Sequence, residues 1–184
     1  MKTSNRVLMA ALGFCAACHD AGTSTPGPAK GVTVASVVVS SAAFSADSPI
    51  PVDYACDGPD QSPQLSWTAM PDSVKSIAIV VEDPDAPNGT FTHMLVWNMK
   101  PGTRQVGAGG SGGLGGGAFG TNDFNRAAYS GPCPPKGKVH HYRFNVYGLD
   151  TMLTLKPSDK RDALDHAMSA HVVAQGTLVG TYEH

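Results

Sequence analysis

The chain has 184 residues, 41% hydrophobic and 15% charged, with a net charge of −2. That length fits one domain plus a tail. Thirteen Lys and Arg against fifteen Asp and Glu, never in a run, give no basic footprint, so nucleic acid is not an expected partner.

The N-terminus reads as an export signal. Lys2 and Arg6 precede a short apolar stretch from Val7 to Ala17. It is too short to cross a bilayer as a helix, which takes about 20 apolar residues. Residues 1–17 are therefore assigned to a signal peptide. The string Cys15-Ala16-Ala17-Cys18 resembles a lipoprotein signal with Cys18 as the acylated residue, although Cys15 stands where an aliphatic residue is usual. Lipidation at Cys18, plain secretory cleavage and no cleavage are the three readings. The first makes an exported lipoprotein, periplasmic or anchored at the outer membrane, and the second a secreted protein. Residues 18–31 are rich in Gly, Ser, Thr, Pro and Ala and read as a flexible tether. The folded domain is assigned to residues 32–184.

Within it, Val32 to Val39 is β-branched and reads as a strand. Leu65-Ser66-Trp67 follows a proline turn as a short strand. Ser76 to Val81 is a nearly continuous apolar run, the pattern of a buried central strand. Phe91 to Met99 and Val139 to Leu149 are further strands, and Leu178 to Tyr182 a last one. One helix lies late in the chain. Ser158 can cap it, Ala163, Leu164, Ala167, Met168 and His171 recur at helical spacing, and Gly176 marks its exit. Many strands and one helix predict a mainly β protein, a β-sandwich. The segment from Gly107 to Gly120 holds nine glycines in fourteen residues and a G-x-G-x-x-G match. A dinucleotide site needs a strand before and a helix after that match. More glycine follows instead, so a mobile loop near the site mouth is expected.

Two proline-rich loops carry the polar groups. One is Asp83-Pro84-Asp85-Ala86-Pro87, followed by Phe91-Thr92-His93. The other runs from Gly131-Pro132-Cys133-Pro134-Pro135 to His140-His141-Tyr142-Arg143. Proline fixes the backbone, so such loops hold side chains at set positions. Alone, Asp83 and Asp85 can equally satisfy loop amides, and a lone His93 on an apolar strand is more often a satisfied core group.

These motifs, with Tyr54-Ala55-Cys56-Asp57-Gly58, Ser62-Pro63-Gln64-Leu65-Ser66-Trp67, Asn122-Asp123-Phe124 and Tyr147-Gly148-Leu149-Asp150, resemble the phosphatidylethanolamine-binding protein family, in its bacterial Raf-kinase-inhibitor-like branch. The resemblance runs from about Phe44 to Tyr182. It implies a large antiparallel sheet packed on a smaller one, with a C-terminal helix. It also implies a ligand pocket containing Asp83, His93, His140 and Tyr142, with Asp85 as a supporting neighbour. Gly131 to Pro135, Pro134 included, forms the opposite wall, with Gly131 amides able to hold an oxyanion. Relatives carry arginine where His141 stands, so the carboxylate support is weaker or more pH-dependent here, and Arg143 is a candidate substitute. In an oxidising compartment Cys56 and Cys133 can pair, since the family fold brings their loops together. Two unpaired thiols are the alternative.

The expected function is a binding module for phosphate or a phosphorylated head group, with regulation of a protein partner, a kinase or protease, as a second element. Protease or kinase inhibition through surface loops is the alternative. A hydrolase is weaker, because no G-x-S-x-G elbow supplies a nucleophile. No metal is expected, because the domain has no H-E-x-x-H and no paired C-x-x-C. No cofactor is implied, and membrane contact is expected only through the lipid anchor.

Overall fold

The structure is a computed structural model that describes residues 33–110 and 114–184. The expected signal peptide, the expected tether and Cys18 lie outside the described residues. None of the described helices is long and apolar enough to cross a membrane.

The chain forms two sheets. In order, the strands are β1 (Ala35–Ser36), β2 (Val39–Ser40), β3 (Ser48–Pro49), β4 (Leu65–Trp67), β5 (Ser76–Asp83), β6 (Phe91–Met99), β7 (Gln105–Val106), β8 (Ala118–Phe119), β9 (Val139–Leu149) and β10 (Val172–Glu183). Helix α1 (Arg161–Met168) lies between β9 and β10. The larger sheet runs β1-β10-β9-β5-β6-β8, and the smaller runs β2-β4-β7. Pairing among β10, β9, β5, β6 and β8 is antiparallel. The short β1 and β3 add to β10 in parallel, at Ala174 and at Gly180.

Burial explains the strand patterns. All eight residues of β5 are buried. Ile77, Ile79 and Val81 face the smaller sheet, in a core with Leu65, Trp67, Val96 and Phe144. Ala78 and Val80 face the other way, under α1, with Leu95, Trp97, Leu164 and Met168. A strand covered on both faces needs no alternation, hence the continuous apolar run. β9 has one wet face at its start, so His140, Tyr142 and Phe144 are buried while His141 and Arg143 are exposed.

Three expectations need correction. The β-branched run of residues 32–39 is two strands, β1 and β2, in different sheets. The chain crosses from one layer to the other at Val37 and Val38, which periodicity alone does not reveal. Helix α1 begins after Lys160, with no side-chain cap, so Ser158 does not cap it. It ends at Met168, and His171 instead donates from Nδ1 to Asp150 Oδ1 at 2.8 Å. Gly176 is not the helix exit but lies inside β10, where a Cβ would collide with the Val37 carbonyl oxygen. The absent side chain lets β1 close on β10 there.

Candidate functional site

The antiparallel order β9-β5-β6 brings the end of β5 beside the starts of β6 and β9. Asp83 pairs with Phe91, and Glu82 pairs with both Thr92 and Arg143. Asp83, His93 and His140 thus converge although 57 residues separate the first and last. A register shift sharpens this. Val81 pairs with Met94 and Glu82 with Thr92, which leaves His93 as the skipped residue. In unbroken alternation His93 would share the face of Leu95 and Trp97. The bulge re-aims it, and its ring lies edge-on to Tyr142 with centroids 5.3 Å apart.

The three residues line a cavity of about 330 Å³ together with Ala86, Pro87, Phe91, Phe124, Cys133, Pro134 and Pro135. Its polar groups sit among apolar ones, the composition of a small-molecule site. Asp83 is 4% exposed, His93 3% and His140 7%, so their polar atoms must be satisfied by protein or by ligand.

Their hydrogen bonds assign roles. His140 Nδ1 donates to Asp83 Oδ2 at 2.7 Å. The Asp85 backbone N–H donates to Asp83 Oδ1 at 2.8 Å. Both Asp83 oxygens are therefore engaged, and this carboxylate orients His140. His93 Nδ1 donates to the Ser130 carbonyl at 2.7 Å, and Ser130 N–H returns a bond to the His93 carbonyl at 3.1 Å. In each ring Nε2 is left without a protein partner among the described residues. Burial holds the His93 imidazole below its ordinary value, against the opposing pull of the Ser130 carbonyl and the Asp83 charge. His93 is thus neutral near pH 7, with Nδ1 protonated and Nε2 an acceptor.

Asn122 builds the wall behind His93. Fully buried, its Nδ2 donates to the carbonyls of His93 and Ala128 at 3.0 Å each and to Ser130 Oγ at 3.2 Å. Its Oδ1 accepts from Arg126 N–H at 2.9 Å. The 122–131 loop is thereby tied to the β6 start. Phe124, from the same loop, stacks edge-on against Phe91 with centroids 4.8 Å apart.

Cys56 and Cys133 form a disulfide, with Cα atoms 5.5 Å apart. It ties the Pro134-Pro135 wall to the 55–58 turn, and Cys56 N–H also donates to the Pro132 carbonyl at 3.0 Å.

Four expected residues take other roles. Asp85 does not line the cavity. Its Oδ2 accepts from the His141 backbone N–H at 2.8 Å and from His141 Nδ1 at 2.7 Å. These bonds hold the Asp85 carboxyl below its ordinary value. Gly131 does not line it either, and its N–H is spent on Asp60 Oδ1 at 2.6 Å. It is glycine because a Cβ there would meet the Tyr54 carbonyl. Tyr142 stands behind His93, fully buried, and its hydroxyl has no partner among the described residues. Burial first, and then the Asp83 charge, push that hydroxyl far above the usual tyrosine range. Arg143 makes no ion pair among the described residues, so His141 alone braces Asp85.

The glycine-rich segment is not at this mouth. Gly109, Gly110, Leu114, Gly116 and Gly117 border a separate cavity of about 610 Å³ with Asp60, Gln61 and Tyr129. Residues 111–113 lie outside the described residues. Among the described residues lining the larger cavity, Asp60 is the one carboxylate, and it already accepts from Gly131. By chemistry rather than by volume, Asp83, His93 and His140 form the candidate site.

Sequence reasoning passed over Phe91, Phe124 and Asn122 as site residues. Their signal was present in the quoted motifs, but only the loop closure gives them a role.

A sequence model described as phosphatidylethanolamine-binding protein matches residues 40–183. A UPF0098 protein of Pyrococcus horikoshii is 47% identical over 148 residues, covering 78% of this chain and 75% of that protein. LppC of Mycobacterium tuberculosis, whose name marks it as a candidate lipoprotein, is 36% identical over 162 residues, covering 87% and 77%. Among solved structures, a homologue of this family from Chlamydia trachomatis superposes with a TM-score of 0.75 at 34% identity, covering 81% of this chain and 98% of its own. E. coli YbcL, described as a member of the mammalian family, gives 0.76 at 28% identity, covering 80% and 98%. This chain, with its two-sheet fold and the Asp83–His140 pair at the sheet end, belongs to the phosphatidylethanolamine-binding protein family.

Proposed function

We propose that the domain binds a small oxyanion, phosphate or a phosphorylated head group, in the cavity of Asp83, His93 and His140, and does not turn it over. The observation that carries this is the pair of imidazoles whose Nδ1 atoms are fixed by protein acceptors. Their Nε2 atoms are left for a ligand in a cavity of about 330 Å³. Because His93 is neutral, its Nε2 accepts a hydrogen bond from a hydroxyl of a monoprotonated phosphate. His140, whose Nδ1 is held on the Asp83 carboxylate, presents its Nε2 to the anion. Phe91, Phe124, Pro134 and Pro135 give the cavity an apolar lining, and a less polar surrounding strengthens such bonds.

A binding role fits the side chains better than hydrolysis. The cavity lining contains no hydroxyl nucleophile. The Cys133 sulfur is bonded to Cys56. Ser130 Oγ is buried and accepts from Asn122.

The lipoprotein reading of Cys15-Ala16-Ala17-Cys18 is part of the same proposal, and the candidate lipoprotein LppC among the relatives supports it. A tethered anion-binding domain would then sit close to phosphorylated head groups.

Calorimetry tests the binding reading. The full chain is titrated with inorganic phosphate and with phosphoethanolamine, beside a His93→Ala, His140→Ala double variant. Binding in the parent that disappears in the folded variant supports the proposal. Absence of binding in the parent overturns it and moves the function to protein contacts through surface loops.

A further inference from the structure

A second constellation lies beside the cavity, built from residues far apart in sequence. His184, just after β10, places Nδ1 3.6 Å from Cys56 Sγ and 3.9 Å from Cys133 Sγ. The same Nδ1 is 3.6 Å from Asp57 Oδ1. The cysteine and histidine donor atoms all lie within 4.8 Å of one another, and both sulfurs belong to exposed residues.

These separations match a tetrahedral ion. Zinc takes sulfur at about 2.3 Å and nitrogen at about 2.0–2.1 Å, so adjacent S and N ligands stand roughly 3.5 Å apart. A carboxylate oxygen and an imidazole nitrogen stand roughly 3.4 Å apart by the same geometry. The observed distances of 3.6, 3.9 and 3.6 Å are close to those edges. The Asp57 carboxylate is also held from behind, because Tyr182 Oη donates to its Oδ2 at 2.6 Å. An outer bond of this kind orients a ligating carboxylate. Cys56, Cys133 and His184 therefore form the cluster, and Asp57, held by Tyr182 and close to His184 alone, is the neighbouring carboxylate that would move in as the fourth donor. Only the two sulfurs are not in ligand form, since they are bonded to each other.

We propose that reduction of the Cys56–Cys133 disulfide converts this cluster into a binding site for a zinc-type divalent cation. The reductant is a dithiol. Its two electrons cleave the Sγ–Sγ bond, two protons pass to the cysteine sulfurs, and the dithiol leaves as its own disulfide. The cation then displaces both thiol protons and is held by two thiolates, the His184 imidazole and the Asp57 carboxylate. In the oxidised state the sulfurs cannot ligate, so the site is redox-gated. Cys133 also lines the anion cavity, so exchanging the disulfide for a metal bridge keeps that wall tied to the 55–58 turn under reducing conditions.

The test uses the full chain carrying Cys15→Ser and Cys18→Ser, so that Cys56 and Cys133 are the only cysteines. It is reduced with a phosphine and titrated with Co²⁺, followed by Zn²⁺. The expected result is one equivalent of Co²⁺ with thiolate-to-metal charge-transfer absorption, displaced by Zn²⁺, and none in the oxidised chain. Tyr182→Phe lowers Zn²⁺ affinity by about tenfold, the size of an outer-shell loss, and His184→Ala lowers it further. Absence of the absorption in the reduced chain overturns the proposal. So does binding that is unchanged by both His184→Ala and Tyr182→Phe, which would leave two thiolates acting alone. If His184→Ala does not fold, Tyr182→Phe decides, read alongside the rise in melting temperature that Zn²⁺ gives the reduced chain.

Discussion

Asp83 Oδ2 accepts the Nδ1 proton of His140 at 2.7 Å, at the meeting of the end of β5 with the start of β9. Both groups are almost completely buried, and the second oxygen of Asp83 is held by the Asp85 amide. In the proposed anion cavity a carboxylate would repel the ligand if its lone pairs faced it. Here they face protein donors, and the charge serves to fix the tautomer of His140.

Asp83→Asn tests that role. Losing a charge-assisted bond costs about 1.5–3 kcal/mol, so sulfate or phosphate affinity is expected to fall by roughly tenfold or more. Calorimetry on the folded variant reads this directly. A rise in affinity would show the carboxylate to be a repelling group rather than an orienting one.

Anion affinity is expected to depend on pH through His93. Its imidazole is held below the ordinary histidine value of about 6.5 by burial. Sulfate, which does not itself titrate in this range, is expected to bind more tightly as pH falls below about 6.5 and Nε2 gains a proton. The rise is expected to be smaller in His93→Gln. A flat profile in the parent would remove His93 from the binding machinery.

The same group links stability to pH with a definite sign. The folded-state value is below the unfolded one, so the unfolded chain takes the proton first as pH falls. Its contribution is fully present above about pH 6.5 and is lost as pH falls through the lower folded-state value. Urea unfolding at several pH values is expected to show a loss of stability in that window that is reduced in His93→Gln. An equal slope in both proteins would assign the loss to other groups.

Asn122→Ala is expected to cost about 3 kcal/mol, because it breaks bonds to His93, Ala128, Ser130 and Arg126 and leaves buried partners unsatisfied. It is also expected to weaken anion binding, since the loop that holds His93 Nδ1 loosens. Chemical denaturation together with a phosphate titration checks both. A stable variant with unchanged affinity would show that the loop is held by other contacts.

Reducing the disulfide is expected to lower stability by about 2–5 kcal/mol in the absence of metal, since it closes a long loop. The cysteines are 77 residues apart. Denaturation of the reduced and oxidised chains in the presence of a chelator measures this. An unchanged midpoint would mean that the 55–58 turn and the 131–135 loop hold together without it.

Much of this was legible in the chain. The continuous apolar run of β5 and the bounds of β4, β6 and β9 follow from local pattern, because burial on one or both faces of a strand writes itself into side-chain chemistry. Asp83, His93 and His140 became candidates through the resemblance that their motifs carry, since alone each can equally be a satisfied loop or core group. The split of residues 32–39 between two sheets was not legible, since a layer crossing leaves no periodic mark. Gly176 was misread because glycine signals a helix exit and a close backbone approach alike, and only the position of Val37 distinguishes them.

The sequence by itself determined that a mainly β domain carries two rigid loops with carboxylates and imidazoles. Tertiary structure decided which of them meet. Strand order β9-β5-β6 joins Asp83 to His140, and the bulge at His93 turns that ring into the cavity. Asp85 and Gly131, equally prominent in the chain, are diverted to His141 and Asp60. His184 reaches Cys56 and Cys133 only because β10 runs back along β9. Long-range pairing sets these distances, and no local spacing encodes them.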